Sequence, residues 1–272
     1  MHFPKFWVLA RKGGIGAWGW SDVSQAAARA DGDARVARIA AWLEAGGKEP
    51  RNSYEYGDRP MREPVLHEFA GPEGRAQAAV TRNSYGCLVL NTAQALFVDV
   101  DEKPAGIGGL LGGWFGRRKT FEDSVKEQLE KWTAAHEGWG WRAYRTKAGM
   151  RLLATHRPVS PEDPLCGEAF REFQADRLYQ KLCVNQKCFR ARLTPKPWRC
   201  GVKWPPTSWP FPNREAEEAF VQWEAAYRSK AAAFAVCRLI GHFGAATPHA
   251  EIAELVEFHD QATGALSDRP LA

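Results

Sequence analysis

Two carboxylates one residue apart, Asp99 and Asp101, close the apolar run Ala95-Leu96-Phe97-Val98-Asp99-Val100-Asp101. A run of this kind predicts a strand buried on both faces. Side chains alternate along a strand, so Asp99 and Asp101 share one face while Val100 turns back to the core. Two neighbouring acids repel unless something positive lies between them, and Mg²⁺ or Mn²⁺ takes carboxylate oxygens readily. The competing reading is a strand end running into a polar turn, where Asp is common. Two basic groups lie downstream. Arg145, Lys147 and Arg151 surround the turn Thr146-Lys147-Ala148-Gly149. Arg190, Arg192 and Lys196 lie in Phe189-Arg190-Ala191-Arg192-Leu193-Thr194-Pro195-Lys196, where the two arginines share a face opposite Phe189, Ala191 and Leu193. Guanidinium and ammonium groups beside an acidic metal candidate suit phosphate oxygens. A plain hairpin with basic decoration is the blander account.

These residues need elements to hold them. The pattern predicts strands over residues 76–82, 85–91 and 95–101, with a tight turn at Asn83-Ser84. Two further strands over 141–146 and 149–155 form the basic hairpin, and a strand over 189–193 carries the arginine pair. A helix over 120–135 starts at a capping Thr120 and aligns Val125, Leu129 and Trp132. Earlier in the chain come a strand over 3–10, a Gly/Trp loop over 13–20, a helix over 23–45, a long loop over 48–64 and a short strand over 65–69. Short helices are expected over 166–175 and 176–183. A Pro-rich wrap follows over 195–213, where regular structure is not expected. Helices over 214–239 and 250–263 close the chain. The expected division is an α+β core over 1–213 and a helical C-terminal extension over 214–272, packed on the core. The glycine-rich stretch 106–116 lacks the spacing of a phosphate-binding Walker loop and is expected to be an insertion beside the acids.

The 272 residues carry a net charge of +5, with 44% hydrophobic and 25% charged residues, as in a globular protein. From Arg142 to Lys203 basic residues outnumber acids by more than two to one, while the remainder is slightly acidic. No stretch approaches the ~20 apolar residues that span a bilayer, so no membrane partner is expected. The N-terminal residues lack the apolar segment of an export signal, which makes the cytoplasm the expected compartment. Six cysteines are then free thiols or metal ligands. Cys166, Cys183, Cys188 and Cys200 would be the ligands of a structural Zn²⁺, without the tight Cys-x2-Cys spacing; buried free thiols are the competing account. Twelve tryptophans are core material first, though exposed ones could stack on bases.

Phe97-Val98-Asp99-Val100-Asp101, the strand-turn-strand with Thr146-Lys147-Ala148-Gly149-Met150-Arg151, and the Arg-x-Arg strand leading to Pro195-Lys196 together resemble the archaeo-eukaryotic primase superfamily. The resemblance covers about residues 75–200. It implies an RRM-like catalytic core with a mixed or antiparallel sheet. It further implies Mg²⁺ or Mn²⁺ on Asp99 and Asp101, nucleotide and DNA or RNA as partners, and nucleotidyl transfer to a 3′ hydroxyl. Arg145, Lys147, Arg151, Arg190, Arg192 and Lys196 would then hold phosphates. The chain departs from the pattern in two places. Arg151 stands where the second motif has His, with His156 five residues on, and no carboxylate occupies the third motif. Two alternatives stay open: a nucleic-acid-binding module without catalysis, and a haloacid-dehalogenase-like phosphatase, whose Asp-x-Asp also ends a strand.

Overall fold

Three antiparallel sheets organise the chain in a computed structural model that describes residues 1–47, 60–71, 76–102 and 119–272. Strands β1 (Phe6–Lys12) and β2 (Ile15–Ser21) pair over their full length and carry helix α1 (Gln25–Glu44), capped by Ser24. A second sheet has the order β3 (Val65–Ala70), β4 (Ala76–Arg82), β5 (Leu88–Thr92), β9 (Phe189–Arg192). The third has the order β10 (Cys237–Gly244), β7 (Gly140–Thr146), β8 (Gly149–Ala154), β6 (Phe97–Asp101). Helices α2 (Phe121–Ala135), α3 (Pro164–Glu172), α4 (Arg177–Gln186), α5 (Arg214–Ala231) and α6 (Ala250–Thr263) complete an α+β fold with six helices among the described residues.

Both β6 and β7 run antiparallel to β8, so they run parallel to each other with β8 inserted between them. The chain passes from β6 to β7 by way of α2, whose N-terminus has the full capping box of Thr120 and Asp123. Val125, Leu129 and Trp132 of that helix are buried against the sheet. Every residue of β8 is buried. Gly149 opens it because a Cβ there would lie 2.0 Å from the Val100 carbonyl oxygen. Strand β6 alternates as its sequence implies: Phe97, Val98 and Val100 are buried, Asp99 is partly exposed and Asp101 is exposed.

The second and third sheets meet where β9 approaches β6. The Tyr179 hydroxyl donates to the Phe97 carbonyl (3.1 Å) and accepts from the Arg190 N–H (3.4 Å), tying the two strands across the gap. This seam brings the basic strand to the acidic one.

Three elements differ from the sequence reading. The Pro-rich wrap over 195–213 holds one short 3-10 helix, Pro197–Cys200, which a proline at its first position permits. The Gly/Trp segment is largely strand β2, because its Trp18 and Trp20 pair across to Leu9 and Trp7 and its Gly19 lies against Ala28 and Gly32 of α1. The long C-terminal helix stops at Ala231, and residues 237–244 form β10 on the edge of β7. Pairing with an otherwise open strand overrides the helical propensity of the Ala-rich segment before it. The region 214–272 is therefore not purely helical; it supplies one strand of the sheet that carries Asp99.

Candidate anion-binding site

Strand register places Asp99 directly opposite Arg151, which in turn lies opposite Tyr144. The Arg151 guanidinium grips the Asp99 carboxylate with two bonds, Nε to Oδ1 at 2.8 Å and Nη2 to Oδ2 at 3.2 Å. Only 2% of the Arg151 side chain is exposed, against 41% of the Asp99 side chain. The pair is thus a buried cation under a partly open anion. Burial alone would raise the Asp99 carboxyl, but the Arg151 charge and hydrogen bonds outweigh it and hold the group below the usual carboxylate range. Burial opposes the charge on Arg151, and Asp99 more than restores it.

Behind the guanidinium runs a polar chain contributed by α6 and β7. Arg151 Nη1 donates to the Arg192 carbonyl (3.0 Å) and faces His259 Nε2 (3.4 Å). His259 Nδ1 lies 3.1 Å from Asp260, which accepts from the Tyr144 hydroxyl at 2.7 Å and pairs with Arg142. Burial, aided by Arg151, keeps His259 below its ordinary pKa despite Asp260. A neutral ring with its proton on Nδ1 is the tautomer that serves both neighbours. This chain fixes the Arg151 side chain in place.

The remaining basic residues divide sharply. Arg190 is spent: its Nη2 lies 2.6 and 2.7 Å from the two carboxylate oxygens of Glu63, which also accepts from Thr81. Arg145 pairs with Glu102 and covers the Phe121 ring. Lys147 is exposed at the tip of the β7–β8 turn. Arg192 and Lys196 differ from these. Neither forms an ion pair with a carboxylate among the described residues, and Arg192 Nε has no hydrogen-bond partner there. Burial and then the Arg151 charge push Arg192 below its ordinary pKa. Burial, then Arg192 and Arg199, do the same to Lys196, which also senses Asp101. These cations crowd one another within electrostatic reach of Asp99 and Asp101.

The structure therefore brings together Asp99, Asp101, Arg151, Arg192 and Lys196, and leaves Arg145 and Arg190 in pairs of their own. Sequence reasoning missed Arg199, which follows Lys196 on the short 3-10 helix Pro197–Cys200, although it stands in the same basic stretch. It also missed His259, Asp260 and Glu63, which no local spacing connects to the site. His156 stacks on Trp139 (4.0 Å) beyond the end of β8 opposite to Asp101 and does not replace the motif histidine. The glycine-rich stretch 106–116 lies outside the described residues.

A divalent cation fits this arrangement poorly. Asp99 already accepts two hydrogen bonds from a buried guanidinium, Asp101 is the one carboxylate of the pair left open, and Arg192 and Lys196 add like charge. Among the described residues no group of three or more His, Cys, Asp or Glu is placed to hold a metal. The six cysteines are free and buried. Burial pushes the Cys166 thiol up to about 12 and Cys188 to about 11. No helix among the described residues is long and apolar enough to cross a membrane. No family model, curated protein or solved structure matches the chain.

Proposed function

We propose that the protein binds nucleotides or nucleic acid through their phosphate groups on Arg192 and Lys196, beside the Asp99–Arg151 pair. One observation carries this reading: partly buried cations are held side by side with no carboxylate paired to them among the described residues. Gathering like charges costs free energy, and a bound polyanion offsets that cost. Guanidinium and ammonium groups supply charge-assisted hydrogen bonds to phosphate oxygens. Asp101 on the rim disfavours indiscriminate anions, so the geometry suits a ligand reaching the cations from one side. The insertion of β8 between β6 and β7, with α2 crossing between them, is compatible with the RRM-like core that the primase resemblance implies. Nucleotidyl transfer on Mg²⁺ or Mn²⁺ would require Arg151 to release Asp99, so binding without catalysis is the better-supported reading. The antiparallel sheets do not favour the dehalogenase-type alternative.

Titration with a nucleoside triphosphate at low salt, in EDTA and in Mn²⁺, tests the reading. Binding in EDTA that falls about tenfold or more in Arg192→Ala and Lys196→Ala is expected. Binding absent in both buffers, or untouched by either substitution, overturns it. Binding that appears only with Mn²⁺ and is lost in Asp99→Ala restores the metal-dependent reading.

A further inference from the structure

Beside the cation cluster the chain displays three aromatic rings on a rigid base. Trp198 and Trp204 stack nearly parallel, with centroids 4.9 Å apart and 13° between planes, yet 42% and 57% of them remain exposed. Tyr85 braces both edge-on, at 5.6 and 4.9 Å. Lys196 lies 5.4 Å from the centroid of the Trp198 ring, so the platform and the phosphate cations share a residue. A surface loop has no need to expose two stacked indoles, and aromatic area left in water is a mark of a binding surface.

The base is fixed in advance. The Tyr227 hydroxyl donates to the Pro195 carbonyl (2.5 Å) and lies 2.8 Å from Thr194 Oγ1, while Trp223 Nε1 donates to the Lys203 carbonyl (2.9 Å). Cys200, the buried last residue of the 3-10 helix, donates its thiol to the Pro197 carbonyl (3.2 Å). Lys196 is held between two prolines. Tyr85 is set by a turn in which Asn83 Oδ1 accepts from the Tyr85 and Cys87 N–H groups. Gly86 follows at φ +79, and a Cβ there would strike the Trp223 ring at 2.4 Å. Ordering on binding is therefore slight.

We infer that this platform stacks a nucleobase of a single strand whose phosphates lie on Lys196 and Arg192, which makes the partner single-stranded nucleic acid. The inference rests on the phosphate reading above. Flat π-faces with flanking cations recognise unpaired bases without sequence preference, whereas a duplex hides its base faces. Duplex DNA offers the same phosphates but no face for the tryptophans to cover.

The test compares three ligands at equal, low salt: an oligothymidylate of about ten nucleotides, an abasic strand of the same length, and a duplex of the same length. Wild type is expected to bind the oligothymidylate about tenfold or more tightly than the abasic strand and the duplex. Trp204→Ala, at an exposed position, is expected to lose that preference and keep its affinity for the abasic strand. Equal wild-type affinity for oligothymidylate and abasic strand overturns the platform while leaving the phosphate reading standing. Tighter binding of duplex overturns it as well. If none of the three binds, the phosphate reading fails and the platform with it.

Discussion

Arg190 and Arg192 stand two residues apart on one face of β9 and meet opposite fates. Arg190 closes on Glu63, a carboxylate 127 residues away in sequence, and its charge is raised above ordinary basicity by that partner despite burial. Arg192 receives no such partner, shares its surroundings with Arg151 and Lys196, and is pushed the other way. The same side chain at the same strand phase is a structural strut in one case and a waiting cation in the other. What separates them is long-range pairing, which strand periodicity cannot contain. A buried ion pair broken on one side is costly, whereas a crowded cation removed relieves repulsion. Stability and ligand affinity should therefore respond in opposite order to the two substitutions.

Arg190→Ala should give the largest change. It strands the Glu63 carboxylate, which is mostly buried, and should cost on the order of 3 kcal/mol in denaturant unfolding. An equal loss in Arg192→Ala would break the contrast. Arg151→Met comes next, at about 2 kcal/mol: the apolar chain fills much of the volume, but Asp99 and the Arg192 carbonyl lose their donors. It should also change the acid limb. The folded Asp99 carboxyl is lowered below the unfolded value, so its contribution is complete above about pH 4 and fades as pH falls through the depressed folded value. In Arg151→Met that contribution should vanish, seen as a shallower loss of stability on acidification. An unchanged acid limb would remove Arg151 as the cause.

Arg192→Ala is the mirror image. Its unfolding free energy should stay within about 0.5 kcal/mol of wild type or rise, while nucleotide affinity falls about tenfold or more by isothermal titration. Loss of stability without loss of affinity would make Arg192 a strut like Arg190.

The contrast also shows how far the sequence could be read. The alternation of β6 was legible, because an apolar run ending in Asp-x-Asp admits one strand phase, and the basic hairpin was legible from its turn. The Asp99–Arg151 pairing was not, since it depends on β8 lying between β6 and β7. Arg151 joins the expected phosphate ligands through its type and its place beside the hairpin turn; its burial follows from a strand with no exposed residue, which basic composition disguises. The helix expected over 214–239 overruns into residues 237–239 because alanines precede them, and only the open edge of β7 makes 237–244 a strand. His259 and Asp260 lie within the helix expected over 250–263, where no local spacing ties them to Arg151, for the same reason: the site behind them is assembled by tertiary contact.

The smallest effect should come from Asp101→Asn, and it tests the balance of charge around Arg192 and Lys196. Asp101 is exposed at the end of β6, has no ion pair among the described residues, and lies within electrostatic reach of Lys196. Stability should change by no more than about 0.5 kcal/mol. Affinity for a nucleotide in EDTA should rise a few-fold, since one like charge leaves the path of the phosphates, and the gain should shrink as salt is added. If instead Asp101 holds a metal that carries the nucleotide, the same substitution weakens binding in Mn²⁺ and does nothing in EDTA. The sign of one exposed residue's effect thus separates a site whose cations are side chains from one whose cation is borrowed.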